Sequence, residues 1–174
     1  MRLLALLSLL AAPALSEHLH LGLKGGAPLN DLVESGGSIS SLSSRWTLGP
    51  MIDLDLPFGL GIEFNALYRR TGYRDAQDHT AGSWDFPLLL KYKFPGVVAR
   101  PYISGGWVYR NIGDIPRLAA GSNGVAFGGG LQISVPVIRL TPEIRWTRWE
   151  SAQAGPLSVQ ASRNQFEVLV GLTF

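Results

Sequence analysis

The chain has 174 residues and no cysteine; 46% of it is apolar, 16% is charged, and it carries 21 Gly and 11 Pro. That composition is too apolar for a disordered chain and too rich in Gly and Pro for a helical one. The missing Cys removes a disulfide framework and a lipidated-cysteine anchor, and a net charge of +2 gives nucleic acid no footing.

Residues 1–16 read as a secretory signal peptide. Arg2 supplies the positive end, Leu3 to Leu10 the apolar core and Ala14-Leu15-Ser16 the small-x-small cleavage pattern. The run is too short to cross about 30 Å of hydrocarbon as a helix and is interrupted by Pro13. Residues 17–174 are then expected to form a single domain.

From His18 the chain alternates. Leu19, Leu21 and Leu23 share a face, opposite His18, His20 and Lys24. Gly25 to Ser44 reads as a loop. Trp46, Leu48, Pro50, Ile52, Leu54 and Leu56 then oppose Asp53 and Asp55, and Pro57 marks a turn. The next strand starts at Phe58 and sets Ile62, Phe64 and Tyr68 against Glu63 and Arg69. After a second loop, Arg70 to Ser83, the residues Trp84, Phe86, Leu88, Leu90, Tyr92 and Phe94 oppose Asp85, Lys91 and Lys93.

Pro95-Gly96 is the next turn. Over Pro101 to Arg110 the alternation is mixed: Ile103, Trp107 and Tyr109 form one apolar phase, while Tyr102 and Val108 fall in the other. This predicts a bulge. Asn111 to Asn123 is a third loop. Val125, Phe127, Leu131 and Ile133 continue the pattern, then a turn at Pro136 leads to Ile138, Leu140, Ile144 and Trp146, opposite Arg139, Glu143 and Arg145. Glu150 to Ser162 is the fourth loop. The closing strand sets Phe166, Val168, Val170, Leu172 and Phe174 against Gln165 and Glu167.

These elements predict an all-β fold, an eight-stranded antiparallel up-and-down transmembrane β-barrel with short turns at one end and long loops at the other. Strands of about ten residues suit a tilted membrane crossing. A lipocalin-like soluble barrel, binding lipid in the periplasm, would point the same apolar face inward. The aromatic residues favour the outward direction. Trp46, Tyr68, Trp84, Tyr109 and Trp146 fall beside the long loops; Phe58, Tyr92, Phe94 and Phe174 fall beside the short turns or the chain end. Two such belts are what bilayer interfaces select. The polar phase is self-neutralising, with Asp53, Asp55, Glu63, Asp85, Glu143 and Glu167 against Lys91, Lys93, Arg139 and Arg145, and suits a lumen filled by ion pairs. Three prolines, Pro50, Pro87 and Pro142, fall within strands, at bulges or at locally unpaired positions.

Three stretches carry a family resemblance: Trp84-Asp-Phe-Pro-Leu-Leu-Leu-Lys-Tyr-Lys-Phe94, Arg100-Pro-Tyr-Ile-Ser-Gly-Gly106 and Val170-Gly-Leu-Thr-Phe174. They resemble the outer-membrane protein β-barrel domain family, with its PorT-like members, and the architecture of small barrels of the outer-membrane protein A and X type. The resemblance implies a Gram-negative outer membrane and outer-membrane lipid around the barrel. It also implies termini facing the periplasm and a C-terminal strand presented to the barrel-assembly machinery. Its motifs are structural and carry no chemistry.

Residue by residue, no chemistry is predicted. His18 and His20 share a face at a spacing that could hold a metal, but no third ligand has a defined place beside them. Neither stands beside a Ser, as a membrane deacylase would require, and His79 is a loop residue. Gly128-Gly129-Gly130 is followed by neither a helix nor a Lys-Ser/Thr pair, so it marks strand crowding rather than a phosphate loop. The sequence therefore predicts a monomeric, non-enzymatic barrel without cofactor or metal, serving envelope integrity or binding through its loops. Tyr73, Arg74 and Arg117 are candidate surface contacts, and a narrow porin-like pore is the alternative.

Overall fold

The computed structural model describes residues 18–30, 40–41, 45–74, 78–112, 118–119, 122–151, 159–160 and 162–174, without the side chains of 40–41, 71–80, 118–119 and 159–160. The proposed signal segment and the candidate contact Arg117 lie outside the described residues, as do the side chains of the candidate contacts Tyr73 and Arg74, whose backbone is described.

Eight long strands follow one another: β1 (Leu19–Pro28), β2 (Thr47–Asp55), β3 (Leu60–Asn65 continuing as Leu67–Arg74), β4 (Asp78–Lys93), β5 (Ala99–Ile112), β6 (Asn123–Ser134), β7 (Arg139–Trp149) and β8 (Asn164–Thr173). Each pairs antiparallel with its sequence neighbours. β1 pairs with both β2 and β8, so the sheet closes on itself. Two-residue pairings join Ser40–Ser41 to β3 and Leu118–Ala119 to Val159–Gln160 on the loop side.

The register fixes the barrel's shape. Opposite Leu19 stands Leu54, then in turn Ile62, Leu90, Gly105, Phe127, Trp146 and Phe166. Phe166 accepts a hydrogen bond from the Leu29 backbone N–H at 2.7 Å, so the circuit returns to the first strand ten residues beyond Leu19. A stagger of that size over eight strands implies a tilt of about 43° and a backbone radius of about 8 Å, which side chains can fill.

The predicted bulge in β5 is not formed. Its register is unbroken against β4 from Tyr102 to Ile112 and against β6 from Ala99 to Tyr109. Tyr102 and Val108 break the apolar alternation because they point into the lumen, where both are buried. No extra residue accompanies the prolines either. Pro50 keeps register opposite Ala66 and accepts its N–H at 3.0 Å, but has no N–H to return. Pro87 keeps its pairing with Val108, while the β3–β4 ladder is interrupted at Asn65 and Ala66. Pro142 stays paired with Val170, and the β6–β7 ladder skips Thr141 and Pro142 with register unchanged. These are unpaired positions rather than bulges. Gly49 stands beside the first of them, and any Cβ there would come 1.7 Å from the Ala66 carbonyl oxygen.

Three predicted boundaries move. Gly25 to Pro28, expected in the first long loop, continue β1 and pair with Val170 to Glu167 of β8. Arg70 to Ser83 is largely a hairpin rather than a loop, paired from Arg69–Ser83 up to Arg74–Asp78. Phe58 belongs to the turn and not to β3. It sits at φ 64 beside Gly59 at φ 78, the positive-φ pair of a type I′ turn, and is 93% exposed.

Candidate functional site: lumen and outer wall

The alternation sorts the side chains into two opposite environments. Leu21, Leu23, Leu48, Ile52, Leu88, Leu90, Ile103, Trp107, Phe127 and Ile144 lie on the outer wall and are exposed. Asp53, Glu63, Asp85, Lys91, Lys93, Glu143, Arg145 and Glu167 lie inside and are buried. An apolar-inward barrel, as the soluble lipid-binding alternative needs, is the reverse of this arrangement.

The lumen charges form three tiers. In the middle, Lys24 Nζ donates to Glu63 Oε1 at 2.5 Å and to Glu143 Oε2 at 2.6 Å. Arg145 donates to Glu143 at 2.7 Å and Glu63 at 3.1 Å, and Lys91 also pairs with Glu63. Tyr102 donates its hydroxyl to Glu143 at 2.9 Å, and Asn65 donates to Glu63 at 2.8 Å. Toward the loops, Arg110 holds both oxygens of Asp85 at 2.6 and 2.8 Å, donates to Gln165 at 2.8 Å and stacks on Trp149. Arg69 bridges Asp85 at 2.8 Å and Glu167 at 2.6 Å.

At the turn end, Asp55 pairs with Lys93 and, at 2.7 Å, with Arg139. His20 Nε2 stands 3.4 Å from Asp55, and Asp53 takes Lys93 at 3.2 Å and Lys91 at 3.4 Å. Every charged lumen residue predicted from sequence is placed in one of these tiers. Lys24, Arg69, Arg110 and Tyr102 are members that sequence reasoning passed over. Their position in the polar phase of their strands was the available signal. Not all of the interior is charged: Leu89, Val108, Ala126 and Trp149 form a buried apolar cluster, with Trp149 stacked against Arg110 of the loop-side tier.

On the outer wall the loop-side aromatics approach one another along and across neighbouring strands. Trp46–Tyr68, Tyr68–Trp84, Trp84–Phe86 and Phe86–Tyr109 have ring centroids 6.3, 5.2, 6.3 and 6.4 Å apart. Trp146 stacks on Phe127 at 6.1 Å. On the turn side Tyr92 meets Phe94 edge-on at 5.0 Å, and Phe174, whose N–H bonds the Leu21 carbonyl at 3.0 Å, completes that level. With the tilt above, the two levels stand about 20 Å apart along the barrel axis.

The family profile described as outer membrane protein beta-barrel domain matches residues 3–174. The chain belongs to that outer-membrane protein β-barrel family. Among solved structures this family member resembles Neisserial surface protein A, with 10% identity, a TM-score of 0.56 and coverage of 89% of this chain and 94% of that one. The N-terminal β-barrel domain of Pseudomonas aeruginosa OprF is also similar, at 17% identity and a TM-score of 0.46, over 90% and 96% of the two chains. No curated protein sequence matches. The first likeness shows the fold of this family member, a closed eight-stranded antiparallel barrel.

Proposed function

We propose that this family member resides in the bacterial outer membrane as a non-catalytic barrel whose lumen is plugged by its own ion pairs, and that it supports the envelope or binds through its loops. The observation that carries the reading is the inversion of faces: large apolar side chains outside, mutually paired charges inside. Water would reverse that preference, and hydrocarbon selects it. An axial spacing of about 20 Å between aromatic levels supports a bilayer setting, and exposed Phe58, Val97 and Val137 at the turn tips lengthen the apolar surface toward the usual band of about 25 Å. The β3–β4 hairpin rises on the order of 13 Å beyond the loop-side aromatics. It offers a raised scaffold for contacts outside the membrane.

Membrane fractionation with heat-dependent gel migration tests this. Detergent-dependent extraction and a mobility shift on boiling are expected; recovery in the soluble periplasmic fraction would overturn the location. In planar bilayers the plugged lumen is expected to be silent, and discrete conductance steps would favour the narrow pore.

A further inference from the structure

The outer wall is not uniformly convex. Where β4, β5 and β6 run side by side, Gly105 stands on the outward face between Leu90 and Phe127, its two cross-strand neighbours. The Phe127 ring leans against this glycine, 3.2 Å from where a Cβ would stand, and beside them the wall has a recess of about 560 Å³. Leu90, Ile103 and Phe127 line it near mid-height, and Leu60 and Tyr92 line it at the turn-side aromatic level. The Phe127 ring, stacked on Trp146, bounds its upper end. From the Leu60–Tyr92 rung to Phe127 the recess rises roughly 14 Å along the axis, about half the thickness of a hydrocarbon core.

We propose that this recess is a binding site for one acyl chain of a phospholipid from the leaflet on the turn side. The inference rests on the outer-membrane reading above. Three features select the occupant. The recess is continuous with the apolar wall between the aromatic levels, so it meets hydrocarbon rather than water. Its lower end lies at Tyr92, whose hydroxyl-bearing ring belongs at headgroup depth. Its length is that of one leaflet's chains and not of a membrane-crossing partner. A chain lying in the recess makes dispersion contacts with Leu90, Ile103 and the Phe127 ring.

Gly105→Leu is the test. A Cβ at this position meets the Phe127 ring at 3.2 Å and no backbone atom closer than 3.7 Å. The ring is exposed and can turn aside, so the variant is expected to fold; heat-dependent gel migration checks this. Wild type, Gly105→Leu and the control Val170→Leu, elsewhere on the lipid-facing wall, are inserted into phosphatidylethanolamine–phosphatidylglycerol vesicles, extracted gently and weighed by native mass spectrometry. Wild type and control are expected to retain one phospholipid. Gly105→Leu is expected to retain it about tenfold less often. Equal retention in all three, or retention in none, overturns the site while leaving the membrane reading intact. A dimer of wild type that Gly105→Leu dissolves would make a second copy the occupant and also overturns it. Failure of all three proteins to insert overturns the site together with the membrane reading beneath it.

Discussion

Glu63 and Asp55 each gather several basic groups, one at the centre of the lumen and the other at its turn-side mouth. Glu63 contacts Lys24, Lys91 and Arg145, with its side chain fully enclosed. Asp55 contacts Lys93, Arg139 and His20, with 20% of its side chain and 26% of Arg139's open to solvent. The partners are alike and the solvent differs. An ion pair at about 4 Å gains roughly 1 kcal/mol in water and roughly 4 kcal/mol at the lower effective dielectric of a protein site. An enclosed charge also has no water to fall back on when its partner is removed. The middle tier links β1, β3, β4 and β7 across the lumen, and breaking one of its pairs is expected to be costly. The mouth tier is expected to contribute far less.

The strongest challenge to that contrast is Glu63→Ala. It strands Lys24, Lys91 and Arg145 around too few carboxylates, and a loss of about 3–5 kcal/mol in unfolding free energy is expected from denaturant titration in phospholipid vesicles. Glu143→Ala and Arg145→Ala are expected to behave alike, more severely than any loop substitution. If all three melt like wild type, the centre of the lumen is wet and the two tiers do not differ. Glu63→Gln is expected to lose less than Glu63→Ala, because the amide keeps the volume and one acceptor oxygen.

The outer wall supplies the converse case, where depth in lipid replaces depth in protein. Ile144, 61% exposed, lies midway between the aromatic levels, whereas Phe58 lies at the turn tip. Ile144→Arg is expected to cost about 2–4 kcal/mol and Phe58→Arg at most about 1 kcal/mol in the same titration. Equal costs at the two positions would mean that the wall does not face a bilayer.

Much of this contrast was legible in the sequence, and the remainder has a physical reason for being hidden. Period-two alternation assigned Glu63, Glu143 and Arg145 to one face and Ile144 to the other, because strand geometry makes face a matter of parity. Pairing is different. Lys24 is 39 residues from Glu63 and 119 from Glu143, and only the closure of the barrel brings them together. Tyr102 and Val108 suggest a bulge in the sequence because an inward aromatic or apolar residue looks like an error of phase, whereas the lumen contains its own apolar cluster. Parity puts Phe58 on a strand because it does not report a positive φ. The recess at Gly105 was equally hidden, since its walls come from neighbouring strands whose register no single stretch records.

The smallest expected effect separates the two tiers most cleanly, because it responds to salt. Arg139→Ala removes a partly exposed cation 2.7 Å from Asp55 but leaves Lys93 in place. A loss of at most about 1 kcal/mol is expected at low ionic strength. Screening lengths fall from about 10 Å at 0.1 M salt to about 3 Å at 1 M, so the difference from wild type should shrink toward zero at high salt. The Glu63→Ala deficit should persist, because counterions do not reach an enclosed site. Were both deficits to fade together with added salt, ions would be reaching Glu63 and the plug would be open to solution. Were Arg139→Ala as damaging as Glu63→Ala at every salt concentration, the mouth would be as dry as the centre, and the solvent contrast between Glu63 and Asp55 would have to be abandoned.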